Sequence, residues 1–367
     1  MSVKTVKVKT EGSAYDVQIE NGLIQRVGEA IRELFPDRAR FFVITAPPIK
    51  KHWGAALTES LDKAKITHQV IEVPDGERYK NLDTIEDLAE KLVKRGADRK
   101  SVFIALGGGV VGDMTGFIAS IYMRGVDFVQ IPTTLLAQVD ASVGGKTGVD
   151  LKAGKNLVGT FYQPKAVFID PGVLNTLPDR EYRAGLFEAL KCGIISNPEI
   201  FGFMEEQRTK VLQREPDALE WLIAECVRVK AEVVSADEHE MGLRRILNFG
   251  HTIGHALEAE TGYKQFLHGE AVAWGMIGAS MIAAAMQRTE SETARRIIST
   301  TLAYAPLPKV EARSKRIVSR LRTDKKTMNG IVHFVLPVEI GKVEIERDVP
   351  EKTVIQAIDE LRYLSQA

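Results

Sequence analysis

Residues 101–113, SVFIALGGGVVGD, contain the pattern that decides the fold. A short apolar run that favours a strand buried on both faces leads directly into a glycine-rich turn, and a helical pattern follows over residues 113–122. Such strands belong in parallel sheets covered by helices. The turn matches G-x-G-x-x-G, a spacing that lets backbone N–H groups approach a pyrophosphate. We therefore predict an α/β fold with a phosphate-binding turn, the alternative being that the glycines only permit tight packing.

Strand and helix patterns alternate on both sides of this stretch, up to Leu177-Pro178. Helical periodicity dominates after that point, with a single extended segment at 330–337. We predict a Rossmann-like parallel-sheet α/β domain over 1–178 and a mostly α-helical domain over 179–367, with a ligand-binding cleft between them. The predicted strands of the first domain are 3–9, 15–20, 40–45, 68–73, 101–106, 127–131 and 166–170, and its clearest helix is 81–95.

Composition narrows the class of protein. The 49 basic and 49 acidic residues balance, which argues against a nucleic-acid binder. Only two cysteines are present, neither in a CxxC pair, so we expect free thiols and a cytoplasmic protein. The N-terminus lacks the apolar core of a signal peptide, and the longest apolar run, 271–286, is too short for a membrane span. That run is predicted to be a buried helix.

Polar segments follow several of the predicted strands, where ligands of parallel sheets bind. Asp75–Lys80 (DGERYK) and Thr133-Thr134 are two such segments. Residues 140–147 resemble a Walker A loop, but Asp140 occupies the first glycine position, so an ATPase is rejected. Lys146, Lys152, Lys155 and Asn156 form a basic, glycine-flanked loop suited to a phosphate or carboxylate, or simply a solvated loop.

A histidine and carboxylate cluster predicts a metal site. His251 and His255 are four residues apart on one helical face, and His268 begins the next helix. Glu188 lies inside an otherwise apolar helix, where a buried carboxylate needs a partner such as a metal. The segment lacks the glutamate of HExxH, which excludes that metalloprotease chemistry. Which three of the four residues bind the metal stays open, and one histidine can instead be an acid–base group.

Several of these segments, in order along nearly the whole chain, resemble the 3-dehydroquinate synthase family. They are DGERYK (75–80), GGGVVGDMTGFIASIYMRG (107–125), QIPTTLLAQVDASVGGKTGVDLKAGK (130–155), 185–191, RRILNFGHTIGH (244–255), HGE (268–270) and DKK (324–326).

The resemblance implies a site for NAD, zinc or cobalt, and an anionic sugar phosphate. Its metal ligands would be Glu188, His251 and His268, which leaves His255 as an active-site group. The implied catalytic residues are Glu240, His255, Lys146, Lys191, Arg244 and Asn248. The implied substrate-binding residues are Arg124, Asp140, Lys146, Asn156, Lys230, Arg244, Asn248 and Lys325, with Arg124 supplied by the partner of a homodimer. The implied NAD-binding residues are Asp75, Gly76, Glu77, Arg78, Tyr79, Lys80, Gly108, Gly109, Val110, Gly112, Asp113, Thr133, Thr134, Lys155, Val173, Leu174, Asn175 and Thr176.

The resemblance also implies a reaction. 3-Deoxy-D-arabino-heptulosonate 7-phosphate would be converted to 3-dehydroquinate and phosphate, in the shikimate pathway, through transient oxidation by NAD, phosphate elimination, reduction and an intramolecular aldol closure. Another sugar phosphate cyclase and an NAD- and metal-dependent polyol dehydrogenase are the competing functions, and a binding protein with a dead site is a third.

One departure is visible, since Thr45-Ala46-Pro47-Pro48 stands where the family often has an Asn or Asp near the adenosine ribose. We therefore expect a different contact at that end of NAD.

Overall fold

The computed structural model describes residues 3–323 and 332–366. The chain forms two compact units, one of residues 1–178 and 214–238 and the other of residues 179–213 and 239–367. The sequence placed the boundary at 178, and residues 214–238 were assigned to the helical domain. They pack instead with the first unit, because the helix that they form contacts the two N-terminal strands, Lys4–Lys9 and Ala14–Ile19.

The first unit contains a seven-stranded sheet in the order β1-β2-β9-β6-β5-β3-β4. All neighbouring strands are parallel except β1 and β2, which form the expected antiparallel hairpin. The strands are β1 (Lys4–Lys9), β2 (Ala14–Ile19), β3 (Phe41–Thr45), β4 (His68–Glu72), β5 (Val102–Gly107), β6 (Asp127–Pro132) and β9 (Ala166–Ile169). The predicted Rossmann-like sheet is confirmed.

Helices cover the sheet because its central strands are buried on both faces. Every residue of β3 and β5 is buried, and two separate apolar clusters lie against the sheet. The helices of this unit are α1 (Val27–Leu34), α2 (Pro47–Ile49), α3 (Ala55–Lys63), α4 (Leu82–Lys94), α5 (Gly109–Ile121) and α9 (Pro216–Ala236). Shorter helical turns lie at Leu23–Gln25, Lys50–Gly54, Glu77–Tyr79, Tyr122–Arg124, Ala137–Ala141 and Pro171–Thr176.

The segment of Lys146, Lys152, Lys155 and Asn156, predicted as a basic loop, lies in a second β-hairpin over residues 146–161. Its strands, β7 (Lys146–Leu151) and β8 (Gly154–Phe161), are antiparallel, and β7 packs on α5. A Cβ at Gly148 would lie 2.6 Å from the Val158 carbonyl oxygen, so the strands approach closely where this glycine lacks a side chain. Glycines at such positions weaken the alternating apolar pattern, so these residues do not show the alternation that predicts a strand.

The second unit is mostly helical, as predicted. Its helices are α6 (Asp179–Ile195), α7 (Pro198–Glu206), α8 (Arg208–Leu212), α10 (His251–Glu260), α11 (His268–Ala285), α12 (Ser291–Ala303), α13 (Ser314–Thr323) and α14 (Glu351–Leu364). A short helical turn, Leu243–Asn248, precedes α10, and β10 (Phe334–Glu339) and β11 (Lys342–Glu346) form a hairpin. Strand β10 contains residues 334–337 of the predicted extended segment, whose residues 330 and 331 lie outside the described residues. Helix α11 is the buried apolar helix that the sequence predicted.

Both cysteines, Cys192 and Cys226, are buried free thiols. Within residues 3–323 and 332–366, none of the helices combines the length and apolar character that a membrane crossing needs.

Candidate active site

Four of the segments predicted to bind NAD follow strands of the parallel sheet at their carboxyl ends. Asp75–Lys80 follows β4, the glycine-rich turn follows β5, Thr133-Thr134 follows β6, and residues 173–176 follow β9. The strand order reverses around β3, because β4 lies on one side of it and β5 on the other. Ligands of open parallel sheets bind at this edge, close to such a reversal. The structure therefore brings these predicted segments to one edge of the first unit, which we call the carboxyl edge.

The glycine-rich turn is shorter than predicted, because α5 begins at Gly109 and includes Gly112 and Asp113. Its N-cap residue, Gly108, supplies no side-chain hydrogen bond to the first turn. A Cβ at Gly108 would lie 2.9 Å from Thr134 Cγ2, and one at Gly112 would lie 2.8 Å from Gln130 Oε1. The glycines therefore permit tight packing and also leave N–H groups at the start of a 13-residue helix without a side-chain cap, so the two interpretations are compatible.

A buried lysine links two NAD-binding candidates to a substrate-binding one. Lys80 Nζ donates to Asp113 Oδ2 at 2.5 Å and to Asn156 Oδ1 at 2.6 Å, and Lys155 Nζ lies 3.4 Å from Glu77 Oε1. Burial alone would lower the pKa of Lys80, but the Asp113 and Glu77 carboxylates outweigh it and raise that pKa. Burial raises the pKa of Asp113, and Lys80 offsets this only in part. The Asp113 carboxylate therefore compensates the charge of the buried Lys80. Lys80 also engages the amide oxygen of Asn156, so the NH2 end of that amide stays available.

The structure joins two more substrate-binding candidates of the first unit. The buried Lys230 of α9 contacts the side chain and the carbonyl oxygen of Asp140. Lys146 is exposed at the start of β7. Arg124 has a left-handed backbone, with φ of 71°, and Met123 before it has φ of 47°. Two consecutive non-glycine residues in this region indicate a held conformation of the kind found at functional sites.

The segment after β9 contributes mainly backbone groups to the carboxyl edge. The side chains of Val173 and Leu174 are buried in the unit, so a ligand would meet their backbone. Thr176 Oγ1 accepts a hydrogen bond from Trp53 Nε1 at 2.8 Å. Ala46 belongs to the segment in which this sequence departs from the family pattern. It is buried, and its side chain offers no hydrogen bond to cap α2. Trp53, from the helical turn Lys50–Gly54, therefore holds the side chain of Thr176, a residue predicted to bind NAD.

Four side chains of the second unit converge, as the sequence predicted they could. The rings of His251 and His268 have centroids 5.1 Å apart, and the His255 ring lies 5.2 and 5.8 Å from them. Glu188 Oε1 lies 3.5 Å from His268 Nε2 and 3.8 Å from His251 Nε2. Two ligands about 2.0–2.1 Å from a tetrahedral ion lie about 3.3 Å apart, so these separations suit a shared cation. The three histidines alone also offer ring nitrogens within 4.8 Å of one another.

Two of the imidazoles form a hydrogen bond through the ring nitrogen that lies opposite the one nearest Glu188. His251 Nδ1 donates to the Phe249 carbonyl oxygen at 3.1 Å, and His268 Nδ1 donates to Glu258 Oε2 at 3.2 Å. Since both acceptors lack hydrogens, each Nδ1 carries the proton and each Nε2 presents its lone pair toward Glu188. Burial would lower the pKa of His268, but the Glu258 and Glu188 carboxylates outweigh it and raise that pKa. The arrangement matches metal-ligating histidines with second-shell acceptors.

Glu188 has the environment of a carboxylate that needs a cation. It is fully buried, and among the described residues neither of its oxygens accepts a well-formed hydrogen bond. Lys191, one turn along α6 and also buried, forms an ion pair with Oε2. The Oε1 atom faces the two Nε2 atoms. A divalent ion would satisfy this carboxylate and both lone pairs together, so the residues present fit a metal.

Two further catalytic candidates of this unit are in contact. Asn248 Nδ2 donates to Glu240 Oε1 at 2.6 Å, and Glu240 has a left-handed backbone with φ of 60°. Arg244, on the turn between them, is buried. Lys325, the remaining substrate-binding candidate, lies outside the described residues.

Sequence reasoning missed residues that hold the predicted ligands. Glu258 was not selected, although a glutamate in the apolar stretch of α10, three residues after His255, was a usable signal. Arg180 and Glu270, which join α6 to the start of α11, were also missed, because their pairing depends on a contact between distant segments.

Comparison with known proteins places this architecture among the sugar phosphate cyclases. The solved 2-epi-5-epi-valiolone synthase from Streptomyces hygroscopicus, with NAD+ and Zn2+ bound, is similar at a TM-score of 0.88 and 28% identity, covering 98% of this chain and 99% of that one. A solved 2-deoxy-scyllo-inosose synthase complexed with carbaglucose-6-phosphate, NAD+ and Co2+ is similar at a TM-score of 0.87 and 27% identity, covering 97% of this chain and 100% of that one.

Family models then identify the particular family. Those described as 3-dehydroquinate synthase N-terminal and C-terminal match residues 70–184 and 185–327. The 3-dehydroquinate synthase of Koribacter versatilis is 59% identical over 98% of both chains, and that of Solibacter usitatus is 50% identical over 96% of this chain and 97% of the relative. The chain belongs to the 3-dehydroquinate synthase family, which confirms the resemblance seen in its sequence.

Proposed function

We propose that this chain acts as a 3-dehydroquinate synthase that uses NAD and a divalent metal, zinc or cobalt. Its substrate would be 3-deoxy-D-arabino-heptulosonate 7-phosphate, and its products 3-dehydroquinate and phosphate. Relatives at 59% and 50% identity carry this activity in their names, whereas the cyclases named for other products are 27–28% identical. This difference favours the carboxylated substrate over the other sugar phosphates.

The observation that carries the proposal is the convergence of Glu188, His251 and His268. We assign these three as the metal ligands, because their facing atoms lie 3.5 and 3.8 Å apart and both imidazoles are held by second-shell acceptors. His255 then stands beside the metal as an acid–base group, since catalytic zinc sites use three protein ligands and keep a position for substrate. When bound, the metal supplies a Lewis acid and NAD supplies a hydride acceptor that is regenerated within the cycle.

The carboxyl edge is proposed as the NAD site, which makes the first unit the NAD-binding domain. The glycine turn presents N–H groups at the start of α5, as a pyrophosphate requires. Two solved cyclases with this fold hold NAD+. The NAD assignment covers Asp75, Gly76, Glu77, Arg78, Tyr79, Lys80, Gly108, Gly109, Val110, Gly112, Asp113, Thr133, Thr134, Lys155, Val173, Leu174, Asn175 and Thr176.

Cationic side chains are proposed to hold the carboxylate and phosphate of the substrate. These side chains are Lys146, Lys230, Lys191 and Arg244, each a donor suited to an oxyanion. Lys230, Lys191 and Arg244 are buried, which strengthens their electrostatic effect on a bound anion. The same proposal includes Arg124, Asp140, Asn156, Asn248 and Lys325 among the substrate-binding residues.

Proton transfer is proposed for Glu240 and His255. The amide of Asn248 donates to one oxygen of Glu240 and so fixes the orientation of that carboxylate. Phosphate elimination and the later aldol closure both need a group that accepts and returns a proton, which a held carboxylate or imidazole can do.

A homodimer is proposed through the surface around Arg124. Exposed apolar side chains occur on the end of α5 and on the β7–β8 hairpin, which pack against each other: Ile121, Met123, Leu151, Leu157 and Phe161. Leu157 and Phe161 lie on the same face of β8, because residues two and four apart along a strand point the same way. An apolar surface beside a residue in a held, left-handed conformation favours a partner subunit that receives Arg124.

The experiment offers three substrates to the purified protein with NAD+ and Zn2+. They are 3-deoxy-D-arabino-heptulosonate 7-phosphate, sedoheptulose 7-phosphate and glucose 6-phosphate, with released phosphate and absorbance near 340 nm measured together. We expect phosphate release from the first alone, with no accumulation of NADH. Release from either other sugar would identify a different cyclase, and accumulating NADH would identify a polyol dehydrogenase.

Metal removal tests the ligand assignment within the same assay. Chelation and Glu188→Ala are each expected to abolish phosphate release. Glu205→Gln is the control, because Glu205 pairs with Arg296 between two other helices of the same unit and should leave release unchanged. Release that survives both chelation and Glu188→Ala would contradict the metal part of the proposal.

A further inference from the structure

Arg180, in the first turn of α6, forms a two-point ion pair with Glu270 in α11. Arg180 Nε donates to Glu270 Oε1 at 2.6 Å, and Nη2 donates to Oε2 at 2.8 Å. The side chain of Glu270 is only 3% exposed, although that of Arg180 is 57% exposed. An exposed ion pair contributes little, but a buried carboxylate that loses its partner is left with an uncompensated charge. The Arg180 guanidinium therefore compensates the charge of the Glu270 carboxylate, which is almost shielded from solvent.

The same pair also fixes the chain immediately before α11. Glu270 Oε2 accepts from the Leu267 backbone N–H at 2.8 Å, and Arg180 Nη2 donates to the Gln265 carbonyl oxygen at 2.9 Å. The two side chains together hold the backbone of Gln265 and Leu267, directly before position 268. That position is the proposed ligand His268.

Three consecutive contacts join α6 to the start of α11. Arg180, Ala184 and Glu188 are spaced four residues apart and so lie along one face of α6. Arg180 pairs with Glu270, and Glu188 Oε1 lies 3.5 Å from His268 Nε2. Between them, the backbones approach so closely that a Cβ at residue 269 would lie 1.9 Å from the Ala184 carbonyl oxygen. Along this face of α6, the Arg180–Glu270 ion pair therefore lies at one end of the row of contacts, and the proposed ligands Glu188 and His268 lie at the other.

We propose that Arg180 and Glu270 are positioning residues for the metal site, an inference that rests on the proposed function. The glycine contact fixes how closely the helices approach at one point, and their crossing angle depends on what joins them on either side of it. The ion pair supplies a second point, one turn before the contact on α6. The angle it sets determines whether Glu188 and His268, at the other end of the row, reach one cation.

The test measures metal binding by the apoprotein and does not depend on turnover. Zn2+ affinity is measured by competition with a chromophoric chelator, and Co2+ binding by its visible absorption spectrum. The variants are Arg180→Lys, which cannot form the two-point pair, and Glu270→Gln, which keeps an acceptor for the Leu267 N–H. Each is expected to weaken metal binding about tenfold or more and to change the Co2+ spectrum.

Arg296→Lys is the matched control. Arg296 forms an equivalent two-point pair with Glu205 between α12 and α7, which carry no proposed metal or substrate residue. Its metal affinity should stay within about twofold of wild type, even where urea unfolding shows an equal loss of stability. The double variant Arg180→Lys with Glu270→Gln should bind metal no more weakly than the weaker single variant, because one interaction is removed in all three.

The outcomes separate this inference from the proposed function. If the wild-type apoprotein binds neither metal, both are overturned. If it binds metal and the Arg180 and Glu270 variants match the Arg296 control, the inference alone is overturned and the pair is merely structural. Should Glu270→Gln fail to fold, the affinity of Arg180→Lys decides.

Discussion

Replacing Glu258 by glutamine tests whether the second shell of the histidine cluster has the role that its geometry indicates. Glu258 is 4% exposed on α10, and its Oε2 accepts from His268 Nδ1 at 3.2 Å. Glutamine keeps the size of the side chain and one acceptor oxygen, but it removes the negative charge that favours a strongly donating imidazole. The substitution therefore isolates the charge of this contact from its shape.

The magnitude follows from the strength of one charge-assisted hydrogen bond. Such a bond contributes about 1.5–3 kcal/mol. Glutamine keeps a neutral bond of about 0.5–1.5 kcal/mol, so the loss is about 1–1.5 kcal/mol. At about 1.4 kcal/mol for each tenfold change in affinity, this weakens metal binding by roughly 5- to 12-fold. Glu258→Ala should weaken binding further than Glu258→Gln, because it leaves the Nδ1 proton of His268 without an acceptor in a buried position.

The assay is competition for Zn2+ between the apoprotein and a chromophoric chelator. Glu260→Gln is the control, since Glu260 lies two residues along the same helix and accepts from Arg316 and Arg320 at 3.2 and 3.0 Å. Its metal affinity should be unchanged. Equal affinities for Glu258→Gln and Glu260→Gln, in proteins of equal helical content by circular dichroism, would refute the second-shell role.

Four other substitutions test the packing and the carboxyl edge. Gly269→Ala should destabilise the protein to urea by about 2–4 kcal/mol, since its Cβ would meet the α6 backbone at 1.9 Å. Gly202→Ala, which meets nothing within 4 Å in α7, should instead stabilise it by about 0.5–1 kcal/mol. Asp170→Ala removes the acceptor of three backbone N–H groups at 2.8–3.0 Å and should lower the free energy of unfolding by about 2–4 kcal/mol, again in urea. Lys80→Met leaves the Asp113 carboxylate without its buried partner, so NAD+ binding measured by calorimetry should weaken about tenfold or more, and an unchanged affinity would contradict that role.

The sheet could be predicted because its strands carry their own signal. Phe41–Thr45 and Val102–Gly107 are buried on both faces, and only a near-continuous apolar run satisfies that environment. The β7–β8 hairpin could not be predicted in the same way, because Gly148 and Gly159 replace the side chains that would show alternation. The position of α9 was also missed, since an apolar helix does not reveal in its own sequence which unit it packs against.

The metal cluster was predictable as a set of residue types but not as an arrangement. The i, i+4 spacing of His251 and His255 favours those two as a chelating pair. The structure instead places Glu188 Oε1 3.8 and 3.5 Å from Nε2 of His251 and His268, whose Nδ1 atoms form hydrogen bonds. Those bonds involve a carbonyl oxygen two residues away and a carboxylate ten residues away, and neither contact follows from spacing. Only the resemblance to the family indicated the set that the geometry now supports.

The small residues of α10 and α11 explain why these histidines can meet at all. Helices that pack through ordinary side chains have axes about 8–10 Å apart. Here a Cβ at Gly275 would lie 1.7 Å from the Gly250 carbonyl oxygen, and one at Gly254 would lie 2.9 Å from the Ala271 carbonyl oxygen, so the two backbones are in direct contact. His251 follows Gly250 directly, and this contact lets its ring approach that of His268 to 5.1 Å between centroids. The Gly- and Ala-rich composition of α11, which the sequence explains only as burial, is therefore also a requirement of the site, because larger side chains at the crossing would separate the two imidazoles.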